Sequence, residues 1–413
     1  MTALASSFRA LQHRNYRLIF TGQLVSMVGT WMQTVAQGWL VYRLSHRPEL
    51  LGLVALAGLG PAFFLGVLGG ALADRVDPRR IALVTQSLLL AQAAALGFLT
   101  LTHRVDIAHV LVLAMVMGVV NAFDMPASQV LVAQSVPKED LPNAIALNSS
   151  LFHGSRILGP SLAGLVVAAY GEGLCFLLNA ASYLAALTAL VRVTMPVLVR
   201  KGLPARLRDE FLEGLRYVRA TPEMRRLFLL VGLSTFLGMP YTVLMPAVAK
   251  DMLEAGPRLL GWLMGAGGIG ATLGALRLAS HRDPAGLSRT MIWALAAVGV
   301  VLPAFAFSTL PWLSVLLIVP LGFCMVTVNT SNNTLVQLEV PGALRGRVIA
   351  LHATVFMGAM PLGGFVAGHI AAHIGVSLAL ALGGVGCLLV AAGYGWIMRT
   401  ENPRIQASQD EAR

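Results

Sequence analysis

Charge is what this chain has least of. Only 12% of its 413 residues are Asp, Glu, Lys or Arg, where a soluble domain carries about 25%, so a soluble globular fold is excluded at the outset. Cysteine is nearly absent. Cys175, Cys324 and Cys387 lie in or beside apolar runs at no metal-like spacing, which excludes a disulfide framework and reads them as small buried hydrophobes. No GxxxxGK[ST] stretch occurs, so ATP is not hydrolysed on this chain. Gly265, Gly267 and Gly270 match GxGxxG in letter, but they sit inside an apolar run with no preceding strand, and the dinucleotide reading fails on that context. Gly261, Gly265 and Gly270, Gly274 read instead as small-residue surfaces for close helix packing. His369 and His373 are four apart without an acidic residue between them, so no metal site is assigned. No cofactor is expected.

What the chain has in abundance is apolar length. Hydrophobic residues make up 56% of it, and the mean hydropathy is +0.74. Runs of about 20 apolar residues recur, each able to cross a hydrocarbon layer of about 30 Å as a helix that satisfies its own backbone. Twelve spans are predicted, at 18–42, 50–73, 81–101, 108–132, 144–170, 174–193, 227–249, 259–278, 289–307, 312–337, 348–372 and 377–397. The first is too long for a signal-peptide core and lacks a small-residue cleavage site, so it is expected to remain in the mature protein. Most of the 30 Lys and Arg residues fall on the side that holds both termini; Arg43, Arg47, Arg104, Lys250 and Arg258 fall on the other. That bias predicts a multi-pass protein of the cytoplasmic (inner) membrane with both termini in the cytoplasm. It also accounts for the net charge of +11: the charge is spread over short loops, and no nucleic-acid partner is expected.

The chain repeats itself. Ala146 to Gly164 (ALNSSLFHGSRILGPSLAG) returns ungapped as Ala350 to Gly368 (ALHATVFMGAMPLGGFVAG), with eight identities in nineteen positions and an offset of 204 residues. The same offset aligns Gly118 with Gly322 and Pro137 with Pro341. Six spans separate the copies, so they share one orientation. The expected fold is an all-α membrane protein of twelve transmembrane helices in two parallel six-helix repeats, the layout of a two-lobed transporter. The expected domains are 1–193, a cytoplasmic linker at 194–226, 227–398, and a polar, disordered tail at 399–413. Within the linker, Leu207, Phe211, Leu215 and Val218 are flanked by Arg206, Arg208, Arg216 and Arg219, the pattern of a basic amphipathic helix on the membrane surface. Phe8, Leu11, Arg14 and Arg17 form a smaller version.

Inside lipid an ionisable side chain is a functional hypothesis, because a partner or a watery cavity must offset its cost. Two charged residues lie deep in the spans, Asp124 in the fourth and Arg156 in the fifth, at depths differing by about 6 Å. Two readings stand open: a static ion pair that pins two helices, or a proton acceptor at Asp124 tuned by Arg156. His153, one turn from Arg156, is a further candidate. Polar residues also line up on helical faces: Gln23, Ser26, Thr30, Gln33 and Gln37 in the first span, Asn121, Asp124 and Ser128 in the fourth, Asn329, Asn333 and Gln337 in the tenth. Such stripes either glue helices together or line a wet central cavity. The five-member stripe favours the cavity.

The residues after the second span, Gly70 to Arg80 (GALADRVDPRR), resemble the G-x-L-A-D-R-x-G-R-R signature of major facilitator superfamily transporters, departing from it at Asp77 and Pro78. Gly159, Pro160 and Gly164 in GPSLAG resemble the GPxxGG element of the superfamily's antiporters. With Arg14-Asn15-Tyr16-Arg17 and Glu213-Gly214-Leu215-Arg216-Tyr217, the pattern is similar to the enterobactin-exporter-like and macrolide-efflux branch, over nearly the whole chain. The resemblance implies that spans one, four, seven and ten line a central cavity, and that Gly70, Asp74, Arg75, Arg79 and Arg80 belong to a cytoplasmic gate.

The resulting expectation is a monomeric exporter of a small molecule, drug or siderophore-like, alternating access by rocking two lobes in the lipid bilayer, with protons as the counter-substrate. Asp124, Arg156 and His153 are the proton-coupling candidates. Gln23, Ser26, Thr30, Gln33, Gln37, Asn121, Asn329 and Asn333 are the cavity candidates. An importer or facilitator with the same fold is the alternative. A membrane-embedded enzyme would need clustered nucleophiles, bases or ligands, and a channel would need charged rings or a filter loop. Function is expected where the copies differ: Asp124 aligns with Val328, His153 with Met357 and Arg156 with Met360.

Overall fold

The computed structural model describes residues 8–194, 207–279 and 286–411. They fold into helices, with no strand among the described residues. The first half holds α1 (Arg14–Ser45), α2 (Pro48–Arg75), α3 (Pro78–Leu101), α4 (Ile107–Gln134), α5 (Leu141–Tyr170) and α6 (Glu172–Arg192). A surface helix, α7 (Leu207–Ala220), precedes α8 (Pro222–Gly238) and α9 (Pro240–Ala247); α9 runs into a π-helical turn at Val248–Met252. Then come α10 (Pro257–Ala279), α11 (Leu287–Ala306), α12 (Pro311–Glu339), α13 (Arg345–Ile374) and α14 (Val376–Glu411).

Eleven stretches are long and apolar enough to cross a membrane, with α8, α9 and the π-turn counting as one, Pro222–Met252. The twelfth is α1. Its 32 residues suffice in length, but the polar stripe from Gln23 to Gln37 holds its mean hydropathy below the others. The predicted twelve-helix fold is the one found. Proline opens α2, α3, α8 and α12, where its missing N–H would be unpaired in any case. Asp77 and Asp106 cap α3 and α4, accepting from the amides of Arg79 at 2.9 Å and His109 at 2.8 Å. At Asp106 that amide bond and the adjacent His109 ring hold the carboxyl below the usual carboxylate range.

The 204-residue repeat is visible in the backbone. Gly171 and Gly375 are counterparts, and each ends its helix, α5 or α13, with positive φ, +80° and +89°. Gly159 and Gly363 are counterparts too. A Cβ on Gly159 would lie 2.9 Å from the Val28 carbonyl of α1, and one on Gly363 would lie 2.2 Å from the Phe236 carbonyl of α8. Span five thus seats on span one by the same device that seats span eleven on span seven.

By contacts the chain forms two compact units, Met1–Pro204 with Met245–Gly268, and Ala205–Leu244 with Ile269–Arg413. The end of the seventh span from Met245 onward and the eighth as far as Gly268 therefore group with the first unit. The small-residue face explains why. Gly164 and Gly261 meet backbone to backbone, each leaving a Cβ on the other only 2.9 Å or less from an α-carbon, and Gly265 abuts Ser161. Further along α10, Gly270 and Gly274 meet the Val319 and Phe323 carbonyls of α12 within the second unit.

Outside the spans, the basic surface helix is present as α7, and Glu213 ties it to α13 through Arg347 at 2.5 Å. Arg206 lies outside the described residues, as do the side chains of Leu207, Arg208 and Phe211. The predicted N-terminal helix is a short 3-10 turn, Arg9–Gln12, before α1. The tail is not irregular to its end: α14 runs on to Glu411.

Gly270 and Gly66 are repeat counterparts with opposite surroundings. A Cβ on Gly270 would lie 1.9 Å from the Val319 carbonyl, whereas one on Gly66 would meet nothing within 4 Å. Gly270→Ala is therefore expected to destabilise the protein by about 1–3 kcal/mol, read as a lower thermal midpoint in detergent, and Gly66→Ala to leave the midpoint unchanged or raised.

Candidate functional site

Asp124 is buried in the middle of α4. Its carboxylate accepts from the Thr85 hydroxyl at 2.5 Å and from the Gln86 amide nitrogen, which is 3.1 Å from each oxygen. Both donors come from α3, so the site is a contact of spans three and four. Thr85 and Gln86 escaped the sequence reading. The available signal was the polar run Thr85-Gln86-Ser87, with Thr85 one heptad before Gln92 in a mainly apolar span, too sparse to register as a stripe.

Arg156 is not the partner of Asp124. Its guanidinium lies 5.9 Å from the centre of the Trp31 ring on α1, a cation–π arrangement, and Trp31 packs edge-on against Phe152. His153 stands edge-on to Phe152, and its Nδ1 is buried without a hydrogen-bond partner. The ion-pair reading therefore gives way to two separate groups: a carboxylate held by neutral donors and an arginine held by an aromatic face. An aromatic surface can hold a guanidinium without neutralising any carboxylate, which sequence depth alone could not reveal.

The polar stripe of α1 splits by direction. Gln23 and Ser26 line a cavity of ≈ 30 Å³ with Gln86 and Ser128, closed by Ile19, Leu131 and Leu190. That is room for about one water, and Gln86 Oε1 is buried there without a hydrogen-bond partner. Deeper along α1 the stripe is glue. Gln33 donates to Gln92 Oε1 of α3 at 3.0 Å and accepts from Asn179 of α6 at 2.7 Å. Thr30 meets the Tyr183 hydroxyl at 3.0 Å. Gly29 admits this network, because a Cβ there would lie 2.5 Å from Asn179 Oδ1. So Thr30 and Gln33, expected in a wet cavity, are spent on helix–helix bonds, while Gln37 is buried on the same helix. Asn121 is half-buried, one turn from Asp124.

In the second half, Asn329 donates to its own helix at Met325 and accepts from Thr235 at 3.4 Å. Asn333 is half-buried and Gln337 exposed. The buried residue of that turn is Asn332, which donates to the Leu227 carbonyl at 3.0 Å and meets His352 Nε2 at 2.8 Å. His352 is a buried ionisable residue of the second half, at the position of Asn148 in the first. The first copy is therefore not alone in carrying one.

The signature residues divide likewise. Asp74 and Arg75 are exposed at the end of α2, with no ion pair among the described residues. Arg79 donates to the Leu190 and Val191 carbonyls at 2.9 and 2.7 Å, closing the end of α6, and Arg80 reaches Asp77 at 3.7 Å. Gly70 has open space where a Cβ would be; the close approach belongs to Gly69, where a Cβ would lie 2.0 Å from the Ala122 carbonyl. Pro160 is buried within α5, between the two glycine contacts of Gly159 and Gly164. The residues before span one are anchors: Tyr16 is buried and donates to the Ala144 carbonyl at 3.0 Å, and Asn15 donates to the Thr194 carbonyl at 2.9 Å. At the opposite ends of the helices, Tyr42 donates to Asp251 of the π-turn within the first unit, and Arg43 pairs with Glu172 at 2.7 Å.

The chain matches the transmembrane secretion effector family over residues 5–412. It is 31% identical over 374 residues to the multidrug efflux pump Tap of Mycolicibacterium fortuitum, covering 87% of this chain and 90% of that one. It is 22% identical to the staphyloferrin A transporter of Staphylococcus aureus, covering 95% and 98%, and 25% identical to the enterobactin exporter EntS of Shigella boydii, covering 92% and 90%. Among solved structures, a mutant form of the nucleoside transporter NupG superposes with a TM-score of 0.73 at 14% identity, covering 92% and 98%. At that identity the likeness concerns the fold.

Asn179→Ala removes the donor to Gln33 and strands a buried amide oxygen. Interhelical hydrogen bonds in membranes contribute about 0.6 kcal/mol each, rising to about 1.7. A loss of about 1 kcal/mol is expected in a denaturation titration. Gln33→Leu in the same background should cost less than it does alone, because the two act on one bond.

Proposed function

Because the chain belongs to the transmembrane secretion effector family of the major facilitator superfamily, we propose that it exports an amphipathic small molecule, drug or siderophore-like, in exchange for protons. It is a multi-pass transporter of the inner membrane. The basic loops support a reading with both termini in the cytoplasm, and in this proposal one chain forms the functional unit. The direction is carried over from relatives named for efflux.

The proton role rests on one observation, the carboxylate of Asp124 buried among neutral donors. Ionised, it accepts from Thr85 and Gln86. Protonated, it must donate. Thr85 can then receive that proton's hydrogen bond, because its own hydroxyl hydrogen has carbonyls to turn to, Ile81 at 3.0 Å and Ala82 at 3.1 Å. Gln86 can reverse its amide, offering Oε1 to Asp124 and its NH2 to the cavity beside Gln23, Ser26 and Ser128. The charge state of Asp124 would thereby be read on the polar face of the first span, where substrate contact was expected. Arg156 on the Trp31 face is assigned to substrate, as a cation meeting an anionic or aromatic group. Alternating access requires the bond from Tyr42 to Asp251 to open when the outer ends part.

In proteoliposomes, with a compound chosen by a growth-inhibition screen of a strain lacking the gene, wild-type protein should accumulate substrate uphill when a proton gradient is imposed. Asp124→Asn should lose uphill transport while keeping downhill exchange, and Asp124→Glu should retain part of both. Uphill transport by Asp124→Asn at the wild-type rate would remove the proton role from this residue.

A further inference from the structure

Between α10, α11 and α12, on the side of the basic loops, lies a crevice of ≈ 340 Å³ that the transport reading does not use. Arg277, near the end of α10, and Arg289, in the first turn of α11, stand at its mouth. Among the described residues neither has an ion-pair partner. The lining beyond them is mainly apolar, with Trp293 and Ala297 on α11 and Phe323 on α12, beside Thr290 and Thr327, whose hydroxyl donates to the Phe323 carbonyl at 2.8 Å. From Arg289 to Ala297 is eight residues, about 12 Å of helix, so two positive charges sit above an apolar slot. Trp293 is 73% exposed, at the depth where indole rings favour the bilayer interface.

The counterpart positions of the first half are closed. Carrying the repeat offset back, Arg277 corresponds to Ala73, Arg289 to Thr85 and Trp293 to Leu89, all three buried. Ala73 packs with Ile81 and Ala127, and Leu89 with Ala93, Val120, Ala180 and Tyr183. One copy of the fold is filled where the other is open and doubly charged.

We propose that this crevice binds one anionic phospholipid of the surrounding leaflet, its phosphate held by Arg277 and Arg289 and an acyl chain lying against Trp293, Ala297 and Phe323. Charge complementarity selects the headgroup, and the apolar depth selects a lipid over a soluble anion. Each arginine near an anionic headgroup contributes about a fivefold preference.

The test uses full-length protein in nanodiscs of phosphatidylcholine doped with brominated phosphatidylglycerol or, at the same fraction, brominated phosphatidylcholine. The Trp293 fluorescence is isolated by difference from Trp293→Phe. Brominated phosphatidylglycerol is expected to quench it at about 25-fold lower lipid fraction than brominated phosphatidylcholine, about fivefold for each arginine. Arg277→Gln with Arg289→Gln should abolish the preference, and Arg289→Gln alone should reduce it about fivefold. Added glycerol phosphate should leave the quenching intact. Equal quenching by the two lipids in the wild type would overturn the proposal whether or not the double variant folds, as would a preference that survives Arg289→Gln. Displacement by glycerol phosphate would make the site one for free phosphate and refute a lipid occupant.

Discussion

Apolar side chains gain little by leaving lipid for one another, so helices in a bilayer hold together by close backbone approach and by polar bonds. That constraint governs this protein. Where spans five and one, eleven and seven, five and eight, or eight and ten meet, a glycine lets one helix press its backbone onto another, leaving no room for a Cβ. The half-chain repeat preserves one of these contacts in both copies, Gly159 on span one and Gly363 on span seven. At Gly159 and Gly363 packing admits no alternative in either copy, whereas at Gly66 and Gly270 only the second copy is closed.

Chemistry occupies the two copies unevenly. In the first half, the seam of spans three and four holds a carboxylate among neutral donors, next to a water-sized cavity edged by the polar face of span one. In the second half the corresponding seam carries Val328 in place of the carboxylate and opens outward into the doubly basic crevice. Its own buried ionisable group, His352, is tied instead to Asn332 and through it to the Leu227 carbonyl. The same scaffold therefore presents a titratable centre in one copy and a basic, lipid-facing slot in the other.

Much of the architecture was legible in the sequence because lipid makes apolar length and positive-charge bias nearly sufficient evidence. The span count and the repeat needed no structure. Residue pairing was not legible. Asp124 and Arg156 lie at similar depth and have opposite charge, yet Asp124 faces span three while Arg156 turns to Trp31 on span one. Depth is written in the sequence as residue count, but azimuth depends on how neighbouring helices are rotated. The stripe of span one misled for the same reason. A shared face says nothing about whether that face meets water or Asn179. Conversely Thr85, Gln86 and Asn332 went unnoticed because they lie in short runs of consecutive polar residues, Thr85 to Ser87 and Asn329 to Thr334, and such a run does not say which member turns inward.

The most direct test of the account is the protonation of Asp124 itself, followed by infrared difference spectroscopy on the reconstituted protein as pH is changed and substrate is added. The account predicts a carboxylic-acid carbonyl band that responds to both, is missing in Asp124→Asn and moves in Thr85→Val, where the hydroxyl partner is lost. A spectrum in which no such band belongs to Asp124, or in which the band ignores substrate, would contradict it.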